Sequence, residues 1–117
     1  VVQQFSSPPL DVHDLVEREL GVQVQEEEVA TTVGATDAQL FTQNPKRVAF
    51  LVTNLSAGVI FIRPKATASS TTGIRLSPNG GQAYIFWRED LTLPAKEWRI
   101  IGDGAGLAFY ALALNMY

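Results

Sequence analysis

Residues 47–54, RVAFLVTN, form a run of large and β-branched side chains between two interruptions, Asn44-Pro45 before it and Leu55-Ser56-Ala57-Gly58 after it. A run of this length bounded by turn-favouring residues predicts a strand, and its consecutive apolar positions predict cover on both faces. Five similar runs follow it: Val59–Arg63 (VIFIR), Gly73–Ser77 (GIRLS), Gln82–Arg88 (QAYIFWR), Glu97–Ile101 (EWRII) and Leu107–Asn115 (LAFYALALN). The connectors between them carry Gly, Pro, Asn and Ser in the manner of turns. Six short β runs at near-regular spacing predict an all-β sandwich or barrel. The last run is rich in Ala and Leu, which favour helix, but the Asp103-Gly104 turn before it and the Phe109-Tyr110 pair within it assign it to a strand.

Upstream of Asn44 the pattern is more polar. Val22 and Val24 alternate with Gln23 and Gln25, and the run Val29–Val33 follows Glu26-Glu27-Glu28. These read as two edge-like strands, with the glutamates as a solvated stretch that discourages pairing with another sheet. They bring the strand count to eight, enough for two four-stranded sheets of jelly-roll type. Earlier still, Ser6-Ser7-Pro8-Pro9 favours an extended arm. Asp11 then suits a helix cap, Asp14 its first turn, and Val12, Leu15, Val16 and Leu20 follow helical spacing before Gly21. The expected organisation is an acidic arm over residues 1–43, with an amphipathic helix over 11–20, and a β-sandwich domain over residues 44–117. So short a helix is marginal alone, so its Val/Leu stripe needs a partner.

The chain has 117 residues, 46% of them apolar, which suits one domain with a real core. With no cysteine, disulfides, thiolate nucleophiles and cysteine-ligated metals are excluded. The formal charge of −3 is unevenly divided: residues 1–44 hold eight acids against Arg18, and the remainder holds eight bases against four acids. An asymmetry of that size implies that the first segment lies on the second, or reaches a basic surface on a neighbour. The charge-free stretch Gly104–Tyr117 has 14 residues, short of the ~20 a bilayer-spanning helix needs, and no membrane partner is expected.

Catalytic chemistry finds little footing. His13, the only histidine, sits among Asp11, Asp14 and Glu17, and no Gly-x-Ser-x-Gly elbow is present. His13 and Glu17 are four residues apart, but two ligands from one short helix are not a metal site. Gly102-x-Gly104-x-Gly106 would need a βαβ unit to cradle a dinucleotide, and only eleven residues follow it, so it reads as a hairpin turn. Asp37, Glu89, Asp90, Glu97 and Asp103 fall at turns and strand ends, where acids are ordinary. The basic residues are scattered over separate strands, which does not make a nucleic-acid surface. The expectation is a non-enzymatic chain with no catalytic, metal or cofactor residues.

Asn44-Pro45-Lys46-Arg47-Val48-Ala49-Phe50-Leu51-Val52-Thr53-Asn54, then Val59-Ile60-Phe61-Ile62, then Gly73-Ile74-Arg75-Leu76-Ser77-Pro78-Asn79-Gly80-Gly81, resembles small β-sandwich structural proteins of bacteriophage virions. The likeness spans about residues 44–110 and is one of strand-and-turn rhythm. It implies a capsid decoration or cement protein, or a spike or tail accessory protein, located on the virion, most readily at the capsid surface. Arg63-Pro64-Lys65 departs from the glycine-rich stretch common after the second strand, and the acidic helical arm lies outside the pattern.

The residues point the same way. In Gln82–Arg88, Tyr84 and Phe86 share one side and Ile85 and Trp87 the other, so one aromatic pair faces away from the main core unless both sides are covered. The expected interface residues are Val12, Leu15, Val16, Leu20, Glu26, Glu27, Glu28, Trp87, Arg88, Trp98 and Tyr110. The expected partners are further copies of the chain, with a trimer among the states considered, and the major capsid protein or another virion protein. The alternative is a carbohydrate-binding module, in which Trp87 or Trp98 stacks on a sugar and Arg88, Glu89 or Asp90 bonds its hydroxyls.

Overall fold

The computed structural model describes Leu15, Arg18, Glu19, Gly21 and residues 23–69 and 71–116. Phe50 and Val52, on the strand Arg47–Asn54, are fully buried, and directly across from them on the last strand stand Ala113 and Ala111. The small side chains leave room for the large ones between two sheets. Eight strands build those sheets: β1 Val24–Val33, β2 Ala38–Phe41, β3 Arg47–Asn54, β4 Ile60–Pro64, β5 Ile74–Leu76, β6 Gln82–Phe86, β7 Trp98–Gly102 and β8 Leu107–Met116. The first sheet runs β1-β8-β3-β6 and the second β2-β7-β4-β5, with every pairing antiparallel. This is the expected sandwich of eight strands in two four-stranded sheets, with the strand order of a jelly roll. Ile60, Ile62, Leu76, Trp98 and Ile100 fill the core from the second sheet.

The structure changes the sequence reading in four places. The two strands expected on either side of Glu26-Glu27-Glu28 are one continuous ten-residue strand, β1, paired along its whole length with β8. An edge strand with one solvated face accommodates a run of acids without breaking. β2 was not expected: four residues long and irregular between Gln39 and Phe41, it leaves almost no periodic signal. Since β1 belongs to the first sheet and β2 to the second, the sandwich begins at Val24, and the boundary expected between residues 43 and 44 falls inside it. Finally, the strand expected over Gln82–Arg88 stops at Phe86, and Trp87–Asp90 forms a helical turn, α1, held by the Asp90 carboxylate accepting the Phe86 N–H at 2.9 Å. Of the helix expected over 11–20, Leu15, Arg18 and Glu19 are helical, while Val12, Val16, Leu20, His13 and Glu17 lie outside the described residues.

Two buried polar side chains fasten the ends of β3. At one end, Arg47 donates to the carbonyls of Thr42 (2.7 Å), Pro94 (3.1 Å) and Lys96 (3.2 Å) and lies 4.5 Å over the Phe41 ring. Burial lowers its pKa, with Glu27 opposing. At the other end, Asn54 donates to the carbonyls of Gly58 (2.8 Å) and Leu76 (3.0 Å), while its oxygen accepts from the Ser56 N–H and hydroxyl. Asn54 thus uses both halves of its amide, and removing it strands several buried groups at once. Asn54→Ala is expected to lower unfolding free energy by about 3 kcal/mol, read by urea denaturation; a loss under about 1 kcal/mol would show that water replaces these bonds.

Candidate assembly surface

Strand alternation and register together define what the first sheet shows to the outside. With Phe50, Val52, Ala111, Ala113 and Ile85 facing the core, the opposite positions face outward. Register aligns them in rows: Glu28, Leu112, Leu51 and Tyr84 in one, Glu26, Leu114, Ala49 and Phe86 in the next. In these two rows the sheet is therefore apolar along β8, β3 and β6 and acidic along its β1 edge. Tyr84 is 60% exposed, and its ring stacks on Phe86 with centroids 6.0 Å apart.

At the end of this face, Leu15, Val24, Val48, Phe86, Trp87 and Leu114 line a groove of about 340 Å³, with Glu19 and Arg88 at its rim. Val48 reaches it because β3 is irregular between Arg47 and Ala49. Arg88 forms an ion pair with Glu19 and lies 5.0 Å over the Trp87 ring, whose own buried indole N–H has no hydrogen-bond partner among the described residues. Thus Leu15, Trp87 and Arg88, three expected interface residues, meet in one place.

Trp98 does not join them. It is 1% exposed, packs edge to face on Phe50 at 4.9 Å, and donates its indole N–H to the Leu93 carbonyl at 2.9 Å. It is a core residue, closed to a partner or a sugar. The signal for this lay in its strand, where Glu97 and Arg99 alternate with Trp98 and Ile100. Glu26 is exposed, Glu27 accepts from Asn115 Nδ2 at 3.2 Å, and Glu28 accepts from the Tyr110 hydroxyl at 2.5 Å.

The acids considered for catalysis have turn and strand duties. Asp37 accepts the Ala68 N–H and pairs with Arg99, which also reaches Glu97 at 3.3 Å. Asp103 accepts the Val59 N–H at 3.1 Å. Gly102 sits where an added Cβ would lie 2.7 Å from Leu107 Cδ1, a packing role for the first glycine of the Gly102-x-Gly104-x-Gly106 turn. Sequence reading missed the outer face of the second sheet. There Arg75 and Ile101 stand directly across from Phe61, and Arg63 stands across from Arg99. Phe61 and Arg63, two apart on one strand, were the available signal.

No family model matches the chain, and no curated protein matches it. Similar solved structures include a protein of Bacillus endospore appendages, a novel family of disulfide-linked pili, at TM-score 0.48 and 14% identity over 81% of this chain and 88% of that one. The dTDP-4-dehydrorhamnose 3,5-epimerase of Bacillus anthracis, with TDP and PPi bound, gives TM-score 0.46 and 17% identity over 88% of this chain and 60% of that one. PliG of Aeromonas hydrophila, a periplasmic inhibitor of g-type lysozyme, gives 0.37 and 15% over 84% and 90%. Likenesses this distant leave function to be read from the surface itself. Among the described residues no helix is long and apolar enough to cross a membrane, and no group of acids, histidines or cysteines could hold a metal.

The hydrogen bond to Glu28, with desolvation and the Glu28 charge adding to it, raises the Tyr110 pKa above its ordinary value. A raised folded-state pKa means that the contribution to stability is fully present below the ordinary tyrosine value of about 10 and is lost as pH rises through the folded one. In a spectroscopic pH titration, the tyrosine signal absent from Tyr110→Phe is expected to titrate above the ordinary tyrosine value in the wild type and to move down in Glu28→Gln. An unchanged midpoint in Glu28→Gln would refute the contact.

Proposed function

We propose that this chain is a non-enzymatic structural protein that works by associating with further copies of itself through the outer face of its first sheet, with the acidic segment before β1 reaching a neighbouring subunit. The carrying observation is the apolar row Leu112, Leu51 and Tyr84, with Leu114 and Phe86 beside it, on a sheet whose other face already encloses a complete core. Contiguous outward apolar surface on a small domain marks an interaction site. The sequence resemblance supplies the setting: a virion, where the chain would serve as a capsid decoration or cement protein contacting the major capsid protein. Sugar binding at Trp87 is the lesser reading. The groove beside it is walled by aliphatic and aromatic groups, and sugar hydroxyls would find only the Arg88–Glu19 pair and one indole N–H.

Sedimentation velocity over a range of concentrations tests the reading. The wild type is expected to show a concentration-dependent oligomer, and Leu51→Asp with Tyr84→Asp to remain monomeric with an unaltered circular dichroism spectrum. A wild type that stays monomeric at every concentration would overturn self-association. Mass spectrometry and cryo-EM of purified particles test the setting, with the chain expected in repeated copies on the shell.

A further inference from the structure

The two outer faces of the sandwich complement each other. On the second sheet, Phe61 and Ile101 form an apolar centre, with Arg75 across from Phe61 and Arg63 two residues along β4. Arg63 donates to the Thr67 carbonyl at 3.3 Å and Arg75 to the Ser77 hydroxyl at 2.8 Å, and among the described residues neither has a carboxylate within ion-pair distance. Arg99, between Asp37 and Glu97, is already compensated. The face therefore carries two uncompensated positive charges around an apolar centre. On the first sheet the pattern is inverted: Leu51, Tyr84 and Leu112 form the apolar centre, and among the described residues Glu26 and Glu28 on the β1 edge have no cation within ion-pair distance. Arg88, at the far end, is taken by Glu19.

We propose that copies assemble head to tail, the outer face of the first sheet of one copy packing on the outer face of the second sheet of the next. Leu51, Tyr84 and Leu112 meet Phe61 and Ile101, and Glu26 and Glu28 meet Arg63 and Arg75. This rests on the self-association reading above and names the surface that the first face meets. A two-fold pairing of first faces leaves both glutamates without cations, and one of second faces leaves both arginines without anions. Only the unlike pairing satisfies both sets, and charge complementarity of this kind fixes orientation and excludes wrong pairings. A heterologous contact closes into a ring or extends as a filament, according to the rotation between copies.

Complementary variants decide it, each checked for folding by circular dichroism and thermal unfolding. One carries Leu51→Asp and Tyr84→Asp, blocking the first face; the other carries Arg63→Glu and Arg75→Glu, reversing the second. Each alone is expected to sediment as a monomer, its self-affinity weakened about tenfold or more. Mixed in equal amounts, they are expected to form a heterodimer and stop there, because each keeps one working face. Glu26→Lys with Glu28→Lys, also monomeric alone, is expected to regain full-length assembly when mixed with the arginine variant. If the arginine variant assembles like the wild type, or the first mixture stays monomeric, the head-to-tail contact is wrong while self-association stands. A wild type that never associates removes both.

Discussion

Phe50 and Trp98 meet edge to face 4.9 Å apart between the two sheets, and the rest of the structure is arranged around the room they need. That room exists because β8 places Ala111 and Ala113 opposite Val52 and Phe50, so the first sheet is thin where the second is thick. The Ala-rich β8 is thus explained by packing, against its helical preference: alternate positions must be small, and burial between sheets outweighs propensity. A truncation of Phe50 would open a cavity that neither alanine could fill.

Because the core is closed from within, Leu51 and Leu112, on the outward side of β3 and β8, pack on no second layer of the sandwich. Apolar residues stand there nonetheless, and the buried polar groups of β3 sit at its ends, with Arg47 bonded to the Thr42 and Pro94 carbonyls and Asn54 to those of Gly58 and Leu76. The ends are stitched by hydrogen bonds, leaving the broad faces as the surfaces able to meet something flat.

Legibility in the sequence followed how far each strand stood from competing local chemistry. β3 is legible to the residue, because its apolar and β-branched run Val48–Thr53 outweighs any local alternative. The end of β6 could not: Trp87 and Arg88 continue the β pattern, but Asp90 captures the Phe86 N–H and turns the chain, a side-chain bond to backbone that propensity does not register. In the sequence the run Glu26-Glu27-Glu28 divides β1 into two pieces, whereas an edge strand keeps its pairing through the acids and solvates one face. The outer surface of the second sheet was invisible for another reason. Arg63 and Arg75 are twelve residues apart, and only the β4–β5 register puts them around one phenylalanine.

The size of the faces bears on what the segment before β1 contributes. Four strands spaced by about 4.8 Å at ~3.3 Å per residue give the first face, whose strands average about eight residues, roughly 500 Å², and the second face, whose strands average about four, about half that. A stable interface takes about 800 Å² from each partner, so face on face alone yields a weak contact. The segment is placed to supply the remainder, since Leu15 already lies against the groove at the end of the first face. Among the described residues its ion pair there is Glu19 with Arg88, in which both side chains are half exposed. Pairs of that exposure are worth about 1 kcal/mol or less. Under the proposed head-to-tail stacking, contact of the segment with a neighbour's groove would add to the strength of assembly, while the charged faces would set its direction.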